Sequence, residues 1–195
     1  LTNAAALLAD NNTFPGIDMA RFGADQDTIL DREVVEGVSV LTQFDRAMAF
    51  FERYCEYDVI KGANRTAVER IPKTAYREAA ANALAHRAWD VGACVRISLL
   101  QEGIEVVSPG GLVPGMTREA YLDGRFSLLR NPVLAESMFR VGLIEKFGTG
   151  VRRIRRAYDG TGVIPRFELG DGYVSVVLPF VDSLSALSDA EQAAV

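Results

Sequence analysis

The sequence predicts an α+β fold, a two-layer α/β sandwich in which helices cover one face of a mixed or antiparallel sheet. Two observations carry this. Short β-rich runs come in pairs around glycine turns: CVRISLL and IEVV flank Gln101-Glu102-Gly103, and IPRFEL and YVSVVL flank Gly170-Asp171-Gly172. Stretches with apolar residues at every third or fourth position alternate with those runs. At 195 residues, 49% hydrophobic and 24% charged, the chain has the makeup of a globular protein with one substantial core or two small ones.

Leu1 to Ala9 is an alanine-rich helix candidate that stops at the turn-prone Asp10-Asn11-Asn12. Phe14 to Gly23 and Thr28 to Val35 read as strands. From Val38 to Tyr57, Leu41, Phe44, Met48, Phe51 and Tyr54 or Cys55 mark one face of an amphipathic helix. Asp58 to Glu69 is a strand or extended connection containing Gly62-Ala63-Asn64. Ile71 to Asp90 then reads as a single helix opened by Pro72, whose missing N–H has no partner to lose in a first turn. The hairpin of Cys94 to Leu100 and Ile104 to Val107 runs into Ser108-Pro109-Gly110-Gly111-Leu112. Val113 to Ser127 is a loop with a helical turn over Thr117 to Leu122. Asn131 as N-cap and Pro132 at the first position open a helix through Arg140, ended by Gly142-Leu143-Ile144. Phe147 starts the last helix, with Gly148-Thr149-Gly150 at its entrance and Val151, Ile154 and Tyr158 on its apolar row. Three units are expected: an N-terminal α/β segment over 1–70, a main domain over 71–180, and a polar, alanine-rich tail over 181–195. The opening LTNAAALLAD reads as a helix in progress, so a further domain is expected upstream.

The net charge of −5 argues against a protein that coats nucleic acid along its whole surface. Charge is nevertheless segregated. Arg140, Lys146, Arg152, Arg153, Arg155 and Arg156 face a single acid, Glu145, in one short stretch. Cys55 and Cys94 lack metal-ligand spacing and read as buried reduced thiols, which suits a cytoplasmic protein. No run reaches the roughly 20 apolar residues of a membrane span.

The 71–90 helix is the candidate centre of function. Glu78, Asn82, His86 and Asp90 follow at i+4 steps, forming a polar stripe among alanines that let other groups approach the backbone. Tyr76, Ala80 and Leu84 form a second row suited to packing on a sheet. Carboxylate, amide and imidazole could serve as general base, ligand of a hard cation and proton carrier. The same stripe also reads as an ordinary solvated helix face. Gly110 and Gly111 at a strand exit allow close approach or positive φ. Gly148-Thr149-Gly150 exposes free N–H groups at a helix start, a place for phosphate oxygens, or simply a helix-opening turn.

Taken in order, these motifs resemble the ATP-binding fold of the GHKL superfamily, which includes gyrase B, MutL and sensor histidine kinases. More closely, REAAANALAHR, EVVSPGGL, SLLRNPVLAESMFRVGLIEKFGTGVRRI and PRFEL…YVSVVLPF resemble the RecG-like C-terminal domain. Proteins with that domain commonly carry an upstream Schlafen-like, AlbA-type DNA-binding domain and are labelled transcriptional regulators or ATP-dependent DNA helicases. The resemblance implies ATP and Mg²⁺ as cofactors, Glu78 as the base toward water and Asn82 as the Mg²⁺ ligand. It gives Gly110 and Gly111 the nucleotide loop, and Gly148, Thr149 and Gly150 the phosphates. His86 and Arg87 match the closer family's His-Arg pair, whose role chemistry does not assign; His86 is counted with the nucleotide-binding residues, or could simply hydrogen-bond to Asn82 and fix that side chain. Ser108 stands where the superfamily places an adenine-binding Asp. No Gly-x-x-x-x-Gly-Lys-Ser/Thr loop is present, so helicase action is not expected of this chain, and any ATPase activity would be weak.

Three functional readings follow. The first is a nucleotide-binding regulatory domain of a transcriptional regulator, acting as a homo-oligomer and reaching DNA through the upstream domain. A second is a degenerate fold retained for dimerisation or effector sensing without turnover. The third has the Arg152 to Arg156 helix touch nucleic acid directly.

Overall fold

The structure is a computed structural model and describes residues 2–61, 64–124, 126–145 and 148–181, with the side chains of 61 and 64–66 also left out. The predicted tail, Gly62-Ala63 and the Phe147 helix start lie outside the described residues. The elements are α1 (Asn3–Leu7), β1 (Ile17–Phe22), β2 (Ile29–Val35), α2 (Val40–Cys55), β3 (Glu56–Lys61), β4 (Asn64–Glu69), α3 (Lys73–His86), β5 (Val95–Leu100), β6 (Gly103–Pro109), α4 (Arg118–Asp123), α5 (Pro132–Arg140), α6 (Gly150–Ala157), β7 (Arg166–Leu169) and β8 (Tyr173–Pro179).

Six strands form one mixed sheet in the order β2-β1-β5-β6-β8-β7, parallel only between β1 and β5. Strands β3 and β4 pair separately as an antiparallel hairpin. Strands β1 and β2, from the first 70 residues, thus belong to the same sheet as β5 to β8, and one buried cluster runs from Leu7 to Phe180. Alternation sets which face is covered. Met19, Ile97, Val106, Val176 and Phe167 stand opposite one another across five strands and point toward the helices. Between them sit outward residues such as Asp18, which takes a two-pronged contact from Arg32 on β2 (3.0 and 2.7 Å).

Helix α3 lies against β6 on one side, with α2 and α6 on others. Its alanines make this possible: Ala75, Ala79, Ala80, Ala81, Ala83 and Ala85 are all buried. Tyr76 stacks on Phe51 of α2, with ring centroids 4.6 Å apart, and donates its hydroxyl proton to the Ala47 carbonyl at 2.8 Å.

Helix α3 is shorter than its sequence pattern. Arg87 turns out of it at ψ 152° and Asp90 is exposed, so the stripe ends at His86. The cause is Arg87 itself. Its fully buried guanidinium donates from Nη1 to the Pro15 and Gly16 carbonyls (2.9 and 3.0 Å) and from Nη2 to Ala93, and it stacks 4.1 Å from the Trp89 ring. Those contacts clamp the entrances of the parallel pair β1 and β5, and burial lowers the Arg87 pKa to about 10. Asn131 occupies the N-cap of α5, but its side chain makes no cap; it donates to Ala85 and Arg87 carbonyls, both at 2.9 Å. Of the two cysteines only Cys55 is buried. Cys94 is half-buried, with its thiol 3.2 Å from Glu36 Oε1.

Candidate functional site

A cleft opens between α3, the exit of β6, the start of β8, the α4 segment and the start of α6. Asn82, His86, Ser108, Gly110, Gly111, Gly148 and Gly150 all line it. Glu78 and Thr149 do not. With its open mouth included, the cleft holds about 850 Å³ of non-atom space.

One end of the cleft is filled by the protein's own polar groups. Asn82 donates from Nδ2 to Glu78 Oε1 at 3.0 Å, so Glu78, not His86, fixes the amide. Glu78 is buried, and its second oxygen lies 3.6 Å from Arg153 Nη1 of α6. Arg153 also pairs with Glu145, which raises the guanidinium's pKa through a hydrogen bond. Gly150 is pressed onto this pair: a Cβ there would stand 2.5 Å from Asn82 Nδ2 and 2.7 Å from Glu78 Oε1. Only glycine lets the α6 backbone come so near.

The glycines of the other loop have packing reasons too. Gly110 has φ +95° and sits against Ala88, while a Cβ on Gly111 would meet the Asp171 carbonyl oxygen at 2.4 Å. Thr149 holds the N-cap of α6 without a side-chain bond. The Arg153 N–H donates to the Thr149 carbonyl at 2.8 Å in the first turn of α6. Gly150 and Val151, at the positive end of the helix, line the cleft.

The other end is mostly apolar. Ala79, Ala83, Val106, Val174 and Val176 form its walls. Ser108 is buried and donates its hydroxyl proton to the Ala83 carbonyl at 2.9 Å. Arg130, half-buried, is the one cation among the described residues lining the cleft. It donates from Nε to the His86 carbonyl (3.1 Å) and from Nη2 to the Gly111 carbonyl (2.6 Å), bridging α3 and the glycine loop. Burial, reinforced by Arg130's charge, lowers the His86 pKa and favours the neutral imidazole. Sequence reasoning missed Arg130. Nothing in LLRNP sets that arginine apart, because its partners are carbonyls distant in the chain.

The arginine helix turns inward. Arg152 donates to the Gly124 carbonyl (2.9 Å) and Arg155 to that of Leu122 (2.7 Å), holding the C-terminal end of α4, whose Tyr121 lines the cleft. Burial pushes the Tyr121 phenol up to about 12. With Arg153 on Glu78 and Glu145, three of the four guanidiniums serve internal partners and only Arg156 stands outside this scheme. No group of three or more His, Cys, Asp or Glu that could hold a metal occurs among the described residues. No described helix is long and apolar enough to cross a membrane.

Residues 92–178 match the family described as "Putative ATP-dependent DNA helicase recG C-terminal" (HATPase_c_4). Among solved structures, the crystal structure of the DIP2311 protein from Corynebacterium diphtheriae is similar over 92% of this chain, at 28% identity and a TM-score of 0.78. The chain spans 37% of that protein's length. No curated protein matches.

Proposed function

We propose that the RecG-like C-terminal domain of residues 92–178, an ATPase-like domain, works with α3 as a Mg²⁺-dependent nucleotide-binding unit of a larger regulatory protein. The observation that carries this is convergence. Seven residues from three separate stretches of the chain, Asn82 and His86, Ser108, Gly110 and Gly111, and Gly148 and Gly150, surround one cleft at the N-terminus of a helix. Such an end favours phosphate oxygens by dipole and by free N–H groups.

The residues fit a Mg²⁺ ion carried by the nucleotide. Because Asn82 gives its N–H to Glu78, its carbonyl oxygen is the atom left to meet a cation. Mg²⁺ commonly takes one or two protein oxygens and leaves the rest to phosphate and water. When bound, the ion would neutralise phosphate charge beside the α6 entrance. Glu78 meanwhile faces Asn82 and Arg153 rather than the cleft, so binding is better supported than hydrolysis. Turnover would need α6 to withdraw and free the Glu78 carboxylate.

Thermal-shift titrations with ATP or GTP, with and without Mg²⁺, test this. Bound ligand adds RT ln(1 + [L]/Kd), about 2.7 kcal/mol at a hundredfold excess. A Mg²⁺-dependent shift that Asn82→Ala abolishes and Asn82→Asp partly keeps supports the reading. The absence of any shift sinks it. The second reading, a fold kept for dimerisation or effector sensing, draws on Ser108 and the glycines, which all have partners inside the protein. It expects a dimer by light scattering that nucleotide leaves unchanged.

A further inference from the structure

We propose that Arg130 reads the base, so that the cleft prefers a 6-keto purine such as guanine or hypoxanthine over adenine. This rests on the nucleotide reading above. Recognition of adenine's amino group calls for an acceptor, and the side chains lining the cleft offer only neutral ones. Ser108 has its proton committed to the Ala83 carbonyl and presents only a neutral hydroxyl oxygen. No carboxylate is among the described residues lining the cleft.

What that end does offer is a fixed donor. A guanidinium carries five N–H groups, and here two are used on the carbonyls of His86 and Gly111. Those bonds run to α3 and to the glycine loop, so they orient the planar group and leave its remaining donors for a ligand. Ala79, Ala83, Val106, Val174 and Val176, which line the same cleft, supply apolar surface for a flat ring. The neighbouring His86 favours its neutral form and so adds no second cation to draw an anion there.

A 6-keto purine presents O6 and N7 as adjacent acceptors, the pairing an arginine fork fits best. Adenine presents an amino donor at the same position. Donor would then face donor, and the guanidinium would lose a bond it makes with the keto ring.

Calorimetry of the whole chain with the Mg²⁺ complexes of ITP, GTP, ATP and tripolyphosphate tests this directly, since ITP and ATP differ only in the group at C6 and the N1 proton that the keto form carries. ITP and GTP should bind at least about tenfold tighter than ATP, the worth of one charge-assisted hydrogen bond. Arg130→Met should bring that ratio close to one and Arg130→Lys should keep part of it, with circular dichroism confirming that each variant is folded. The wild-type ratio decides the matter even if a variant fails to fold. ATP binding as tightly as ITP overturns the preference while leaving nucleotide binding intact. Tripolyphosphate binding as tightly as ITP, lost in Arg130→Met, makes Arg130 a phosphate ligand and overturns it as well. If none of the four binds, both readings fall together.

Discussion

The two ends of the cleft solve opposite problems with the same kind of backbone. At the α6 end, glycine lets a helix start press onto a buried carboxylate and amide, and the polar groups there are matched to one another. At the β6 end, glycines let the loop settle on Ala88 and Asp171 while a guanidinium and a set of valines stay turned to the open space. The difference teaches that a glycine-rich motif does not by itself mark a contact with ligand. Which side chains remain unspent is the more informative question. By that measure the β6 end is poised to choose a ligand and the α6 end is poised to be rearranged by one.

The strongest way to break this contrast is to crowd the filled end. Gly150→Ala places a methyl group on the Glu78–Asn82 pair and should cost about 1–3 kcal/mol, the usual range for overpacking. At roughly 2–4 °C per kcal/mol for a chain of this size, the melting midpoint should fall by several degrees. An unchanged midpoint would show that α6 is not tightly seated on α3.

Acid titration separates the ends next. His86 is the only histidine, and its folded pKa lies below the ordinary 6.5. Below pH 6.5 the unfolded chain takes up a proton that folded His86 resists, so stability is full above that value and declines as pH falls toward the folded pKa. The decline can reach about 1.4 kcal/mol per pH unit. Urea unfolding at pH 7.5 and 5.5 should show a smaller loss for His86→Gln than for the wild type. Equal losses would place the acid-sensitive group elsewhere.

The smallest effect is expected from Arg153→Gln. Arg153 is 40% exposed, so its pairs with Glu78 and Glu145 are screened, and removing them should cost less than about 1 kcal/mol. The cost should shrink further in high salt. A large, salt-independent loss in thermal unfolding would mean that the pair anchors α6 rather than closing lightly over Glu78.

Much of this architecture was legible in the chain. Alternation over CVRISLL and YVSVVL, and the turns at 101–103 and 170–172, gave the antiparallel strands, because a strand with one covered face must alternate. The alanines of α3 announced a helix meant for close approach. What the chain did not show is decided by partners far away in sequence. The end of α3 depends on Arg87 reaching carbonyls of residues 15, 16 and 93. Asn131 left its cap for α3, and the arginines of α6 turned toward α4 and Glu78, where composition alone suggested a basic outer face. Arg130 belongs to the same class: its meaning comes from the carbonyls it bridges.

The central claim is that one cleft between α3, the β6 exit and the α6 start takes a Mg²⁺-bound nucleotide. Amide chemical-shift mapping of the ¹⁵N-labelled chain, titrated with a Mg²⁺-bound purine nucleotide, tests it most directly. Perturbations should concentrate at residues 82–86, 108–112, 130 and 148–152, and should weaken when the metal is removed. Perturbations confined to another face, or none at saturating nucleotide, would contradict it.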